Sequence, residues 1–248
     1  MKKIFFFALI AFCIAGCGGP RDSYNDRLSL AESSFKAGDY AKAAAAYENI
    51  VNVEGVKNPY IYYNLSNACY RSGQMGKAVL NIERAWRLAP RDSDIRHNRN
   101  FLRNLAGQSH ASFFAAASNA ILGVCSLNEA AAAVLLLFAG FCILMSLYFL
   151  LRKKAFKAAA ITAAVLFIPA AALSGFKIYS EMLVTKAVFI EEGAVRSGPG
   201  DINAELFTAG EGRVVRVLSQ SGDWSSIQSD EGGASQYGWA ESSKLEKI

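Results

Sequence analysis

Two apolar runs constrain what this chain can fold into more than any other feature. They cover residues 130–151 and 158–176, and neither contains an Asp, Glu, Lys or Arg. As helices rising about 1.5 Å per residue they would be about 33 and 28 Å long, and a bilayer's hydrocarbon core is about 30 Å thick. Backbone amides at that depth must bond within their own segment, so we expect transmembrane helices. The alternative is a buried helical hairpin in a soluble protein.

The connector between the two runs, residues 152–157, carries four basic residues and no acid. Basic residues are concentrated in the short cytoplasmic loops of membrane proteins. We therefore expect this loop to be cytoplasmic, and the chain before and after the hairpin to lie on the opposite, exported side. Neither run holds a charge of the kind that marks a transport path, so we do not expect a channel or a pump.

The N-terminus predicts an export signal. A positively charged start precedes an apolar core at residues 4–16, which is too short for a comfortable span and typical of a secretory signal. The core ends in Ile14-Ala15-Gly16-Cys17, which resembles a bacterial lipobox and makes Cys17 a candidate lipidation site. Within the predicted signal peptide, residues 1–17, three interpretations stay open: lipoprotein cleavage before Cys17, ordinary signal cleavage nearby, and an uncleaved anchor. Under all three interpretations the chain that follows is exported, which agrees with the orientation that the basic loop predicts.

Residues 24–108 contain an internal repeat. Gly38-Asp39-Tyr40-Ala41-Lys42-Ala43 aligns with Gly73-Gln74-Met75-Gly76-Lys77-Ala78 at an offset of 35 residues. A period of about 34 residues with this pattern is the tetratricopeptide signature, in which helix pairs stack on one another. We predict an all-α tetratricopeptide-repeat domain here; the alternative is an ordinary helical bundle.

Three residues set the expected helix boundaries of this domain. Gly73 should end a helix in a conformation that glycine enters cheaply, and Pro90 should stop the next helix. Asp92 should then cap a helix through Ile95 and Leu102, which begins an incomplete third unit. Such a unit would cover the apolar face that a terminal repeat exposes.

Repeats of this kind bind partner segments in a groove lined by the first helix of each pair. Aromatic rings give such a groove contact area at low entropic cost, which suits an extended or helical peptide. Arginines recur between residues 84 and 103, but in an exported domain we expect a solvated face or one that meets acidic partners or lipid headgroups, and no nucleic acid. The predicted groove residues are Phe35, Tyr60, Tyr63, Asn67, Tyr70, His97 and Phe101.

Residues 111–128 are apolar and carry no Lys or Arg. Apolar side chains recur there at helical spacing with polar ones opposite, which predicts a short amphipathic helix lying in the membrane interface. A first span that begins earlier is the alternative, and Asn119 and Glu129 argue against it.

From residue 187 to residue 248 the pattern changes to short alternating runs separated by turns, which predicts four or five strands and a small all-β barrel. Three short motifs resemble the bacterial SH3-like domain: Val195-Arg196-Ser197-Gly198-Pro199, Gly222-Asp223-Trp224 and Gly238-Trp239. Two readings of Trp224, Tyr237 and Trp239 stay open, a peptide groove on the surface or the core and rim of the barrel. The predicted strands include residues 187–190, 212–218 and 224–227, with turns at 197–200, 221–223 and 230–233.

The two flanking modules carry opposite charge. Residues 21–110 hold 13 basic and 9 acidic residues, whereas residues 187–248 hold 5 basic and 10 acidic residues. Modules of opposite sign in one compartment could contact each other or a charged partner. The alternative is that the charge only keeps each surface hydrated.

No set of residues in the sequence points to catalysis. There is no C-x-x-C pair, no histidine cluster of metal-ligand spacing, no Ser/His/Asp or Cys/His set and no phosphate-binding loop. We therefore expect no enzyme, no cofactor and no metal site. An enzyme would need acid–base groups converging from both exported modules.

The order of segments resembles the BatE proteins of the bacteroides aerotolerance (Bat) operon. The sequence motifs that carry the resemblance are Tyr62-Tyr63-Asn64-Leu65 through Leu88-Ala89-Pro90, Asp94-Ile95-Arg96-His97-Asn98, Ser126-Leu127-Asn128-Glu129 and Val195-Arg196-Ser197-Gly198-Pro199. The resemblance implies a bacterial inner-membrane component that works with Bat proteins carrying von Willebrand type A domains and with a MoxR-type ATPase, in oxygen tolerance or envelope stress. Two departures are Cys17 and Met75, which replaces the aromatic residue usual in the repeat.

Taken together, the sequence predicts a multidomain membrane protein that works as a non-enzymatic scaffold with two periplasmic binding modules. In this hypothesis the helical groove holds one partner, the small barrel holds a second, and the spans pack with other Bat subunits. The rival hypothesis is a cell-wall sensor in which the SH3-like domain binds peptidoglycan peptides.

Overall fold

A helical array, a long helical hairpin and an antiparallel sheet follow one another along the chain. The computed structural model describes residues 19–53, 55–108, 126–179, 184–231 and 234–248. These residues form seven α-helices: α1 Gly19–Lys36, α2 Tyr40–Val53, α3 Pro59–Arg71, α4 Met75–Leu88, α5 Ser93–Leu105, α6 Leu127–Leu151 and α7 Lys154–Ile178. The strands are β1 Lys186–Phe189, β2 Gly193–Arg196, β3 Glu205–Ala209, β4 Val214–Ser221, β5 Trp224–Glu231, β6 Ala234–Glu241 and β7 Leu245–Lys247, with a 3₁₀ turn at Ser242–Lys244.

Helices α1 to α5 pack in succession, each against the next along the chain. The turns after α1 and α3 are alike, because Gly38 and Gly73 both adopt positive φ, +83° and +84°. Helix α4 ends at Leu88, just before Pro90, and the Asp92 side chain accepts the backbone N–H groups of Asp94 and Ile95 at the start of α5. The helix boundaries predicted at Gly73, Pro90 and Asp92 are therefore confirmed.

The core of the helical array is apolar and includes a buried thiol. Burial and the nearby Glu48 carboxylate raise the pKa of Cys69 to about 12, against the opposing effect of Lys77. The thiol therefore stays protonated and packs as a small apolar side chain.

Helices α6 and α7 pack against each other and are long and apolar enough to cross a membrane, which suggests a membrane protein. Helix α6 begins at Leu127, earlier than the predicted residue 130. The reason is a capping box: the Ser126 side chain accepts the N–H of Glu129, and the Glu129 carboxylate accepts the N–H of Ser126. Glu129 therefore belongs to the first turn of the helix.

The connector between these helices is shorter than the predicted residues 152–157. Only Arg152 and Lys153 separate the two helices, and Lys154 and Lys157 belong to the first turn of α7. Arg152 closes the turn in the left-handed region, at φ +54°, so two residues are enough to reverse the chain. Helix α7 continues past the predicted residue 176 to Ile178.

The C-terminal sheet has seven strands in the order β3-β2-β6-β5-β4-β1-β7, and its paired strands are antiparallel. Strands lie where residues 187–190, 212–218 and 224–227 predicted them, and Gly222 turns the chain between β4 and β5. The expected number of four or five was too low. Strands β2 and β7 have 4 and 3 residues, too few to show an alternating pattern.

The sheet packs directly against the helical array through one face of β1, and the other face of β1 lines the core of the sheet. Ala187 and Phe189 point into the core of the sheet, whereas Val188 is fully buried in the core of the helices. Across this contact the Arg84 guanidinium lies 3.0 Å from the Glu246 carboxylate, and Glu211 accepts the N–H of Gly76 at 2.8 Å. Of the possibilities left open for the oppositely charged modules, the structure shows the one in which they contact each other.

Two predicted segments fall outside the described residues. They are the signal peptide with Cys17, and residues 111–125 of the predicted interfacial helix. The remaining residues of that segment, 126–128, form the cap and first turn of α6.

Candidate functional sites

A pocket of about 220 Å³ opens on the helical array between α1 and α3. Two predicted groove residues, Phe35 and Asn67, line it. Sequence analysis missed the other four lining residues, which are Glu32, Lys36, Tyr47 and Asn64. Helical spacing was the available signal, because residues three or four apart share one helix face, as Glu32 does with Phe35 and Asn64 with Asn67.

Tyr47 lines this pocket from α2, and its side chain is almost fully buried. Burial and then the charge of Glu32 raise the pKa of Tyr47, and a hydrogen bond with Asn64 works against them. The phenol is therefore neutral at physiological pH. The pocket combines two rings, two amides and one charge of each sign.

Three predicted groove residues also fasten α5 to α3. The rings of Tyr70 and Phe101 meet edge to face, with centroids 5.6 Å apart at an interplanar angle of 86°. The Asn98 amide donates to the Asn67 Oδ1 at 2.8 Å. These contacts hold α5 against α3, so Asn67, Tyr70 and Phe101 have a structural role.

The remaining predicted groove residues do not line this pocket. Tyr60 is 58% exposed at the start of α3, Tyr63 is half-buried against the helical core, and His97 is exposed on α5. Their spacing from Asn67 and from Phe101 puts them on the same faces of α3 and α5 as those residues.

The three aromatic residues predicted for the sheet share one face of the β5–β6 ladder. Trp224 is paired with Glu241, Ser226 with Trp239, and Gln228 with Tyr237, and directly paired residues point to the same side. The opposite side is buried, because Ile227 and Ala240 between them are fully enclosed. The aromatics therefore lie on the outer face, and Tyr237 is 58% exposed.

A second pocket, of about 400 Å³, opens beside Trp224. Three acidic side chains and one indole ring line this pocket, and that combination favours a cationic group. The sequence pointed to Trp224 and its neighbour Asp223, whereas the other acids come from distant segments. Its lining residues are Asp201, Asp223, Trp224, Glu241, Ser242 and Ser243.

Within the described ranges, no three His, Cys, Asp or Glu side chains are grouped so that they could hold a metal ion. No protein-family model and no curated protein matches the chain. The two pockets and the contact between the modules are therefore the observations from which a function can be argued.

Proposed function

We propose that this protein is a non-enzymatic adaptor anchored in a bacterial inner membrane. In this proposal α1 to α5 are a tetratricopeptide-repeat domain and residues 187–248 are a bacterial SH3-like domain. The connector at Arg152 and Lys153 is cytoplasmic and both modules are periplasmic. The equal turns at Gly38 and Gly73, 35 residues apart, support the repeat, and the basic connector supports the orientation.

The observation that carries the proposal is the pocket between α1 and α3. With a volume of about 220 Å³ it has room for one side chain, and the rings of Phe35 and Tyr47 supply an apolar wall. The Asn67 Oδ1 accepts from Asn98 and the Asn64 amide bonds with Tyr47, and the bonding capacity that the two amides retain suits the backbone of an extended peptide. The expected ligand is therefore a peptide segment of a partner protein.

The resemblance to the BatE proteins supports a choice of partner. It implies Bat-type membrane subunits with von Willebrand type A domains, and indirectly a MoxR-type ATPase, in a complex for oxygen tolerance or envelope stress. We propose that an exposed segment of such a subunit occupies the groove.

Binding of that subunit tests the proposal. The full chain is solubilised with a tagged von Willebrand type A subunit, and co-purification is compared between the wild type and the double variant Phe35→Ala/Asn64→Ala. Loss of a half-buried ring and an amide at a binding pocket should reduce retention at least tenfold, the effect of about 1.4 kcal/mol. The matched control, Tyr237→Ala, removes an exposed ring from the sheet and should leave retention unchanged. Equal retention by the double variant would rule out the groove as the binding site.

A second candidate function, cell-wall sensing, is favoured by the pocket beside Trp224. Stem peptides of peptidoglycan carry free amino groups, and Asp201, Asp223 and Glu241 would neutralise such a group next to the indole. The full chain in detergent should then bind purified peptidoglycan, and Trp224→Ala should release it while Phe35→Ala/Asn64→Ala does not. Binding that is equal for the wild type and Trp224→Ala would remove this candidate.

A further inference from the structure

Three basic side chains converge where the helical array meets the sheet, and we call Arg103, Lys186 and Arg216 the seam cluster. Lys186 and Arg216 are direct partners on β1 and β4, so their side chains share a face of the sheet. That face also carries Val188, which is buried among the helices, so both cations lie on the face of the sheet that packs against the helical array, where β1 contacts α4. Arg103 comes from the last turn of α5 and faces them.

The acid at the centre of this region, Glu83, is already engaged by another residue. Arg99 donates through its Nε to the Glu83 Oε1 at 2.8 Å, and both side chains are almost fully buried. The guanidinium of Arg99 also stacks on the Trp86 ring, 4.1 Å from its centroid. Arg99 and Glu83 therefore form a complete pair.

The seam cluster is left with little negative charge of its own. The Arg103 Nε lies 3.1 Å from the same Glu83 oxygen, but it is a buried donor without a hydrogen bond among the described residues. Lys186 makes no ion pair within that part of the chain, and Arg216 meets only the half-exposed Asp230 at 3.5 Å. Arg103 and Lys186 thus share one carboxylate that Arg99 already holds, and Arg216, itself 47% exposed, adds a third positive charge beside Lys186.

This arrangement costs free energy unless an anion relieves it. Burial lowers the pKa of Lys186, the repulsion of Arg99, Arg103 and Arg216 lowers it further, and only Glu83 opposes the change. The arginines cannot relieve the repulsion by losing a proton. A ligand with two or more anionic oxygens could accept hydrogen bonds from all three side chains of the seam cluster.

We propose that the seam cluster binds a phosphate-type oxyanion that bridges the helical array and the sheet. Arg103 contributes from the helices, and Lys186 and Arg216 contribute from the sheet, so the anion would fasten one module to the other. The phosphate group could be free in solution or belong to a lipid headgroup, because Lys186 follows the end of the second apolar helix by 8 residues. Both sources present the same chemistry to the site.

Thermal unfolding of the full chain measures this binding. In detergent, inorganic phosphate is compared with chloride at equal ionic strength and pH, so that general screening is the same in both. At a phosphate concentration tenfold above Kd, the stabilisation should raise Tm by about 3–6 °C. In parallel, nanodiscs of phosphatidylglycerol are compared with nanodiscs of phosphatidylcholine.

Lys186→Gln separates binding from a structural role. It should abolish the phosphate-dependent rise in Tm, yet in chloride the variant should be at least as stable as the wild type because it removes a repulsive charge. Lys186→Arg should keep the rise. The matched control, Lys57→Gln, removes one exposed charge from the connector between α2 and α3 and should behave as the wild type.

Each outcome decides the proposal. A rise in phosphate that Lys186→Gln loses supports a site for free phosphate. A rise in phosphatidylglycerol that Lys186→Gln loses supports a lipid headgroup as the source. The proposal is overturned if neither anion raises Tm above its matched control, or if Lys186→Gln keeps the rise.

Discussion

Replacing Gly76 by Ala should push the sheet away from the helical array. An added Cβ would lie 2.6 Å from both the Ile190 Cα and the Phe189 carbonyl oxygen, and these are backbone atoms that cannot rotate away. The shift would also break the hydrogen bond from the Gly76 N–H to Glu211, which is 2.8 Å long. Overpacking and the loss of a bond to a charged group together should lower the free energy of unfolding by about 3 kcal/mol.

The direction of this effect is opposite to what helix propensity predicts. Gly76 lies in the first turn of α4, and in a helix Gly→Ala ordinarily stabilises by about 1 kcal/mol. For a domain of this size the expected loss corresponds to a fall in Tm of about 6–12 °C. Hydrogen exchange should show faster exchange of β1 amides while those of α1 and α2 keep their protection.

Gly210→Ala is the matched control, because a Cβ at Gly210 would meet no atom within 4 Å. It should leave Tm and exchange unchanged within error. A Gly76→Ala protein as stable as the wild type, with β1 still protected, would mean that the sheet does not dock on α4 as described.

The main elements of the fold could be predicted because each has a local cause. The helical hairpin follows from two long runs without charge, and the turns follow from glycines that alone enter positive φ cheaply. The cap at Asp92 and the strand turn at Gly222 are local in the same way. Strands β2 and β7 have fewer than five residues, and an alternation of apolar and polar side chains over so few positions is too short to predict a strand.

The docking of the sheet on the helical array was not predicted in detail, although the two copies of the sequence repeat differ at the positions that the sheet contacts. At an offset of 35 residues, Tyr40 and Ala41 of the first copy become Met75 and Gly76 of the second. The Tyr40 ring meets the Phe35 ring edge to face, whereas Met75 packs beside Gly212, just before β4, and Gly76 leaves room for the β1 backbone. The second copy departs from the first where the sheet contacts it. A single repeat unit cannot reveal what will cover it, so the departure is interpretable only once the contact is known.

The pockets were predicted in part, for a related reason. The position of Phe35 on the first helix of the repeat predicted it as a groove residue, and the motif around Trp224 singled out that residue while leaving open whether it lies in a surface groove or in the core. The charged residues beside them are common surface residues, and their sequence positions give no sign that they converge. Asp201 and Glu241, for example, are 40 residues apart and meet only because the sheet folds them together.

Glu83→Gln should produce the largest loss of stability among changes to the helical array. Burial alone would raise the pKa of Glu83, but the Arg103 and Arg99 guanidinium groups outweigh it and hold the pKa below its usual range. The variant removes the only acid shown within 4 Å of either arginine in the described structure. Leaving a buried charge without its partner costs about 3–5 kcal/mol.

The first repeat supplies a matched control at the equivalent position. Glu48 lies 35 residues before Glu83 and forms an ion pair with Lys77 at 2.9 Å, but its side chain is 32% exposed whereas that of Glu83 is 5% exposed. Because solvent screens the exposed pair, Glu48→Gln should cost at most about 1 kcal/mol. The same substitution at two repeat positions thus separates the effect of burial from the effect of losing a carboxylate.

The pH dependence of stability gives an independent measure of the same ion pair. Since the pKa of Glu83 is lower in the folded chain than in the unfolded chain, its contribution is fully present above the unfolded value of about 4.3. It is lost as pH falls through the folded pKa, where both states become protonated. Denaturant unfolding between pH 7 and pH 3 should therefore show a steeper acid loss in the wild type than in Glu83→Gln. Parallel pH profiles for the two proteins would show that Glu83 does not stabilise the fold through its charge.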